Sequence, residues 1–235
     1  MATTEKPVPA RTADQSTYED RESHAPRVDL RTVLFTVAES KLLIALHGNQ
    51  FRASLPRSAP EPNESLDTTA RRTIRASTGL QEHYLEQLYT LSMGEAEGWS
   101  IIVGYTGLIP SSPQTAPLSE TSWWDVKDLP KLSDSDERVI EYALLRLRAK
   151  LGYTNIAFHL LPRSFTLTEL QNAYESILGR RLDKRNFRRR VIASGILQST
   201  NEQRREGSHR PAALYRFRAE HDPAEYLTPA WAEEA

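Results

Sequence analysis

Between Thr166 and Gly195 the chain writes two short helices on either side of a turn too short to hold anything else. Thr166-Leu167-Thr168-Glu169 has the spacing of a capping box, in which threonine and glutamate satisfy each other's backbone N–H groups at a helix start. Leu167, Leu170, Tyr174 and Ile177/Leu178 then recur at helical spacing along one face, and Gly179 ends the run. After Gly179-Arg180-Arg181-Leu182, Asp183 is suited to N-cap a second helix, whose buried side is expected to be Phe187, Val191 and Ser194 before Gly195 stops it. Two amphipathic helices joined by four residues share one core, which is the helix-turn-helix arrangement. The other face of the second helix carries Lys184, Arg185, Asn186, Arg188 and Arg189, a set that no small core accepts.

The charge of the whole chain, −1, hides where these cations fall. Residues 1–145 hold 14 Lys and Arg against 21 Asp and Glu, residues 146–218 hold 16 against 5, and residues 219–235 hold none against 5. Only the middle block is suited to a polyanion, because neutralising phosphates releases their condensed counterions. Ile196–Thr200 and Ala213–Phe217 read as two short strands around a tip containing Arg204, Arg205, His209 and Arg210, a hairpin wing beside the second helix. The C-terminal unit, residues 153–220, is therefore read as an α+β winged helix-turn-helix domain that binds double-stranded DNA. The expected contact set is Thr166, Thr168, Lys184, Arg185, Asn186, Arg188, Arg189, Arg204, Arg205, His209 and Arg210. Arginine pairs with guanine and asparagine with adenine, while the same side chains also hold phosphates, and the sequence leaves those roles undivided. The bland alternative is a solvated basic face on a helical domain, or a surface for an acidic partner protein.

Upstream, Val28–Ala38 and Lys41–His47 are rich in Val, Leu, Ile, Phe and Thr, with Glu39-Ser40 suited to a hairpin turn. Arg52–Asn63, with three prolines, reads as loop. Glu64–Ser77 reads as a helix with Leu66, Ala70 and Ile74 on one face, closed by Gly79. Tyr84–Met93 and Trp99–Ile109 return to strand composition, and Pro110–Pro117 is loop. A last helix starts at Ser133, with Asp134, Asp136 and Glu137 in its first turn and Gly152 beyond its end. Residues 28–152 thus form an α/β unit with a mixed sheet, preceded by a polar leader, 1–27, read as disordered, and the chain ends in an acidic tail, 221–235. There is no cysteine, so disulfides and thiolate metal sites are excluded. No stretch has membrane-spanning length, and a cytoplasmic location is expected.

Within the first unit, Ser58, Glu64, Arg72, Ile74, Gly79 and Leu80 fall on the spacing of the Nudix signature, in which glycine is followed by five residues, glutamate, seven more, then Arg-Glu-apolar-x-Glu-Glu-x-Gly-apolar. Ser58 stands in place of the opening glycine, and Thr73, Ala76 and Ser77 in place of the three later glutamates. The unit resembles a Nudix sandwich whose catalytic residues have been replaced. Those carboxylates hold divalent cations against a pyrophosphate, and hydroxyl or methyl groups cannot take over their charge. The chain is accordingly expected not to be an enzyme and to hold no metal or cofactor. A hydrolase of nucleoside-diphosphate derivatives, the rival reading, needs carboxylates from outside the helix such as Glu61 or Glu95. Glu64 is better read as the partner of Arg72.

Taken with Phe165-Thr166-Leu167-Thr168-Glu169-Leu170-Gln171, Asn186-Phe187-Arg188-Arg189 and Arg210-Pro211-Ala212-Ala213-Leu214-Tyr215, the arrangement over residues 28–218 resembles the NrtR family of bacterial regulators of NAD metabolism. The resemblance implies a homodimeric repressor of NAD-biosynthesis or salvage genes on a palindromic operator, released in some members by ADP-ribose or a related NAD derivative. Arg57, Arg71 and Arg75 are the residues expected to hold such a pyrophosphate. Trp124 is a candidate to stack on its adenine, although the Trp123-Trp124 pair reads more readily as core. The six histidines are scattered without ligand spacing.

Overall fold

The computed structural model describes residues 27–82, 84–95, 98–110, 121–205 and 211–218. The expectations for the leader, the tail, His209, Arg210 and most of the Pro110–Pro117 loop fall outside them. Strands β1 (Arg27–Ala38) and β2 (Lys41–Asn49) form an antiparallel pair, closed by Glu39 and Ser40 at φ 50° and 59°. Two consecutive left-handed residues are what a tight hairpin turn with the right twist requires. The loop expected over 52–63 is interrupted by two short strands. β3 (Arg52–Ser54) pairs with β2, and β4 (Arg57–Ser58) pairs with Leu30 and Arg31 of β1. Their backbone groups find partners on the edges of longer strands, a gain that local composition does not announce.

Helix α1 (Leu66–Thr78) is capped by Ser65 and ends on left-handed Gly79. β5 (Tyr84–Glu95) and β6 (Gly98–Leu108) form a long hairpin, and β6 runs parallel to β1. β7 (Thr121–Asp125) adds to β2. The result is a seven-stranded mixed sheet with the central order β3-β2-β1-β6-β5. α1 lies close on one face because β6 offers Gly107, where a Cβ would come within 2.7 Å of Leu34 and 3.2 Å of Ile74. On the other face lies α2 (Asp134–Leu151), capped by Ser133.

A 3-10 turn, Ile156–Leu160, leads to α3 (Leu167–Leu178), α4 (Lys184–Ala193) and the hairpin of β8 (Leu197–Arg204) and β9 (Ala212–Phe217). Phe165 exchanges both backbone hydrogen bonds with Tyr215, which adds a single rung to the hairpin just ahead of α3. One buried cluster runs without a break from Val33, Phe35 and Ile44 of the sheet through Val139 and Leu147 of α2 to Leu170, Tyr174, Phe187 and Val191. Arg148 of α2 donates to the Ile177 carbonyl at 3.0 Å, occupying an acceptor left open in the last turn of α3. The helix-turn-helix is thus packed on the sheet unit and does not hang from a linker.

Candidate nucleic-acid interface

The helix-turn-helix is held by the devices its sequence writes. Thr166 accepts from the Glu169 N–H at 3.1 Å, and Glu169 accepts from the Thr166 N–H at 2.7 Å, so the capping box is complete. Asp183 caps α4 through the Asn186 N–H at 2.7 Å. Tyr174 of α3 meets Phe187 of α4 edge-on, with ring centroids 5.3 Å apart. Burial of Phe187 and Val191 turns the opposite side of α4 outward. Ser194, expected on the buried side, is exposed, because the helix ends there and Gly195 turns left-handed.

Lys184, Arg185 and Arg189 are exposed on α4. Asn186 accepts from Arg189 at 2.9 Å, which orients its amide before any base is met. Arg188 is half-buried and donates from Nη2 to the Thr168 hydroxyl at 2.9 Å, while its Nε is buried without a partner. The exposed Thr168 therefore joins the basic helix through Arg188. Thr166, also expected among the contacts, is 7 % exposed and its hydroxyl is committed to the cap.

Arg204, expected at the wing tip, ends β8 at the loop end of the wing, paired with Ala212, but its side chain is turned inward. It donates to Glu169 Oε1 at 2.7 Å and to the Ser164 carbonyl at 3.1 Å. Glu169 thus closes the capping box with one oxygen and pins the wing with the other. The sequence marks the first role and misses the second, since the partner lies 35 positions away. Arg205 follows it and is exposed. Thr166, Thr168, Asn172, Lys184, Arg188 and Arg204 line a groove between the start of α3, the first turns of α4 and the wing. Asn172 was not singled out from the sequence, because a polar residue on a helix face carries no signal by itself.

In the sheet unit, the α1 face where the Nudix carboxylates would stand is a ladder of hydroxyls. Thr73 bonds to Ser58 and donates to the Thr69 carbonyl at 2.8 Å, Ser77 donates to the Thr73 carbonyl at 2.8 Å, and Ser77 meets His47 Nε2 at 2.9 Å. Thr73 and Ser77 are each 4 % exposed. Glu64 is held bidentately by Arg72 at 2.9 and 2.7 Å, and these hydrogen bonds hold its carboxyl down to about 2. A neutral, internally satisfied ladder with one neutralised carboxylate does not fit a divalent cation on a pyrophosphate. Among the described residues, no group of His, Asp and Glu is arranged to hold a metal ion.

The four residues expected around a ligand are divided between the two faces of the sheet. Arg71 and Arg75 are exposed one turn apart on α1, and Arg71 is paired with the buried Glu82. Arg57 is in register with Arg31, and Trp124 with Ile44, both on the α2 face. Trp123 points the other way and packs against Ala45, Leu34 and Ile74. Successive strand residues alternate, so neighbours in sequence cannot clamp one ring together. Both tryptophans pack on core clusters, and the Trp124 indole N–H is buried without a partner.

Comparison with known proteins adds four findings. The model of the NrtR DNA-binding winged helix domain matches residues 157–217. A curated protein of Acinetobacter baylyi, the ADPR responsive transcriptional repressor NtrR, is 33 % identical over 85 % of this chain and 85 % of its own length. The crystal structure of Shewanella oneidensis NrtR complexed with a 27mer DNA superposes with a TM-score of 0.72 at 31 % identity, covering 85 % of this chain and 99 % of that one. A MutT/nudix family protein from Enterococcus faecalis shares the fold, with a TM-score of 0.68 at 20 % identity over 89 % of this chain and 95 % of its own.

Proposed function

The chain belongs to the NrtR family, and from that premise we propose that it is a transcriptional repressor of NAD-biosynthesis or salvage genes that acts as a homodimer on a palindromic operator. Residues 153–220 are the DNA-reading unit, and residues 28–152 are a Nudix-like sensing unit that has given up hydrolysis. The observation that carries this reading is α4. Its exposed face presents Lys184, Arg185 and Arg189, with Arg188 and Asn186 held by neighbouring side chains, on a helix whose other face is locked into the core. A cationic helix fixed in this way suits the major groove, and a two-fold dimer matches a palindrome. The Acinetobacter baylyi relative is described as ADPR responsive, which supports release by ADP-ribose here. On the α1 face a pyrophosphate would meet Arg75 and Arg71, the latter leaving Glu82 to bind it, and Arg57 and Trp124 would serve only a ligand reaching the other face.

The reading is tested by measuring binding to a palindromic operator duplex across salt concentrations, with the oligomeric state followed by light scattering. A dimer whose log affinity falls linearly with log salt, by roughly 0.9 per phosphate contact, supports it. Salt-insensitive binding, or a monomer at operator-saturating concentration, contradicts it.

A further inference from the structure

A cavity of about 220 Å3 opens where the β1–β2 turn and the end of β7 meet the turn between α3 and α4. Lys41 and Lys127 line it from the sheet, and Ser176, Gly179, Arg180 and Arg181 from the helix-turn-helix. Two acids also stand there, and both are engaged. Asp125 accepts from the Lys127 N–H at 3.0 Å and lies 3.7 Å from the Lys41 ammonium. Glu175 accepts from the Leu182 N–H at 2.9 Å and from Gln171 at 2.8 Å, with Arg181 3.6 Å away. Neither the Lys127 ammonium nor the Arg180 guanidinium forms an ion pair among the described residues. The rim is therefore positive.

Ser176 decides what kind of site this is. It is 8 % exposed, and its hydroxyl oxygen is buried without a hydrogen-bond partner. Buried hydroxyls are seldom left unpaired, because the lost hydration is not replaced. Here the orphan belongs to a residue in the wall of a cation-rimmed cavity, next to a left-handed glycine with nothing within 4 Å of where a Cβ would stand.

We propose that this cavity binds the phosphoryl group of a small phosphate-bearing ligand, with Arg180, Arg181, Lys41 and Lys127 as the cationic clamp and with the Ser176 hydroxyl, closed off from the cavity in its present rotamer, turning about χ1 to donate from the wall. A dianionic phosphoryl group offers several acceptors at short range, which suits arginine forks and a hydroxyl better than it suits a carboxylate ligand's single pair of oxygens. Two of the cations come from the sheet and two from the α3–α4 turn, so occupancy ties that turn to the sheet and biases where α4 sits. The cavity is on the face opposite α1, and none of its residues is among those assigned above to DNA.

The test is titration of the full chain, without DNA, with inorganic phosphate and with pyrophosphate at constant ionic strength, followed by calorimetry. Saturable binding of one phosphate per chain is expected. Replacing Arg180 and Arg181 together by serine weakens it by roughly tenfold or more, given the strength of charge-assisted hydrogen bonds. Ser176→Ala weakens it while leaving the melting temperature unchanged or raised, and Arg138→Ser, at an exposed arginine of α2 outside the cavity, has no effect. A response that only tracks ionic strength, as chloride does, overturns the proposal. So does absence of phosphate binding when the double variant weakens operator binding, since the two arginines then serve the DNA backbone. Because the titration contains no DNA, its failure leaves the repressor reading untouched.

Discussion

At the scale of single residues, the interface divides into side chains that face outward and side chains that hold the frame. Arg185 is exposed on α4, whereas Thr166 is buried as a cap. Arg185→Ala is therefore expected to cost about 1–3 kcal/mol of operator binding with an unchanged thermal melt. Thr166→Ala costs about 1 kcal/mol of folding stability, visible in the melt of the free protein. If Arg185→Ala lowers stability, or Thr166→Ala does not, the division is wrong. Glu64 gives a second test. Its carboxyl, held down to about 2 by Arg72, is ionised throughout the neutral range. Since the folded value lies below the unfolded one, the pairing favours the fold above the ordinary carboxylate range, and that contribution disappears as pH falls toward 2. NMR titration of the Glu64 carboxyl should find a midpoint near 2 that rises toward the ordinary range in Arg72→Ala, where the Glu61 N–H, 2.9 Å from Oε2, still holds it down. An ordinary midpoint in the unaltered chain would contradict the pairing. This pair was legible in the sequence because it is local. The inward turn of Arg204 was not, because it depends on a strand returning beside a helix start.

At the scale of elements, the sheet is tied to α2 by a buried polar contact that no motif announces. Arg31 of β1 donates to Asp29 at 2.9 Å, to Asp136 at 2.9 Å and to Ser135, and Asp136 also accepts from the Leu55 N–H at 3.4 Å. Arg31 and Asp136 are each 3 % exposed. From the sequence, Asp136 looks like one of three acids favouring a helix N-terminus, and Arg31 interrupts an apolar strand without explanation. Arg31→Ala leaves a buried carboxylate without its cation and should cost about 3–5 kcal/mol in denaturant unfolding. Adding Asp136→Ala to it should recover part of that loss. A single-variant cost below 1 kcal/mol would mean that the pair is hydrated and not structural. The helices were the most legible elements, because capping and periodicity are written within one or two turns. The short strands β3 and β4 were missed because their stability comes from the edges they join.

At the scale of the whole molecule, two units distinguishable by charge are joined by a continuous core. The buried cluster spans the sheet, α2 and the helix-turn-helix, so the chain is expected to unfold in one calorimetric transition whose van't Hoff and calorimetric enthalpies agree. Two resolved transitions would show that the units are thermodynamically separate. The order of the units could be read from the change in charge near residue 146 and from the two groups of motifs. The packing of α3 against β2, which gives the sheet unit a physical route to the DNA-reading helices, could not, because apolar residues do not encode which neighbour they meet. The separation of Arg57 and Trp124 from Arg71 and Arg75 is of the same kind. It follows from strand register, which only the closed sheet sets.

The central claim is that α4 reads a specific operator and that the sheet unit controls it. The most direct measurement is binding of the full chain to the DNA upstream of its own gene and of neighbouring NAD-metabolism genes. It is made at about 150 mM salt, where non-specific electrostatic binding is weak, with random duplex in excess and with or without ADP-ribose. Selective binding that ADP-ribose weakens is the predicted result, and equal affinity for operator and random duplex would contradict the account.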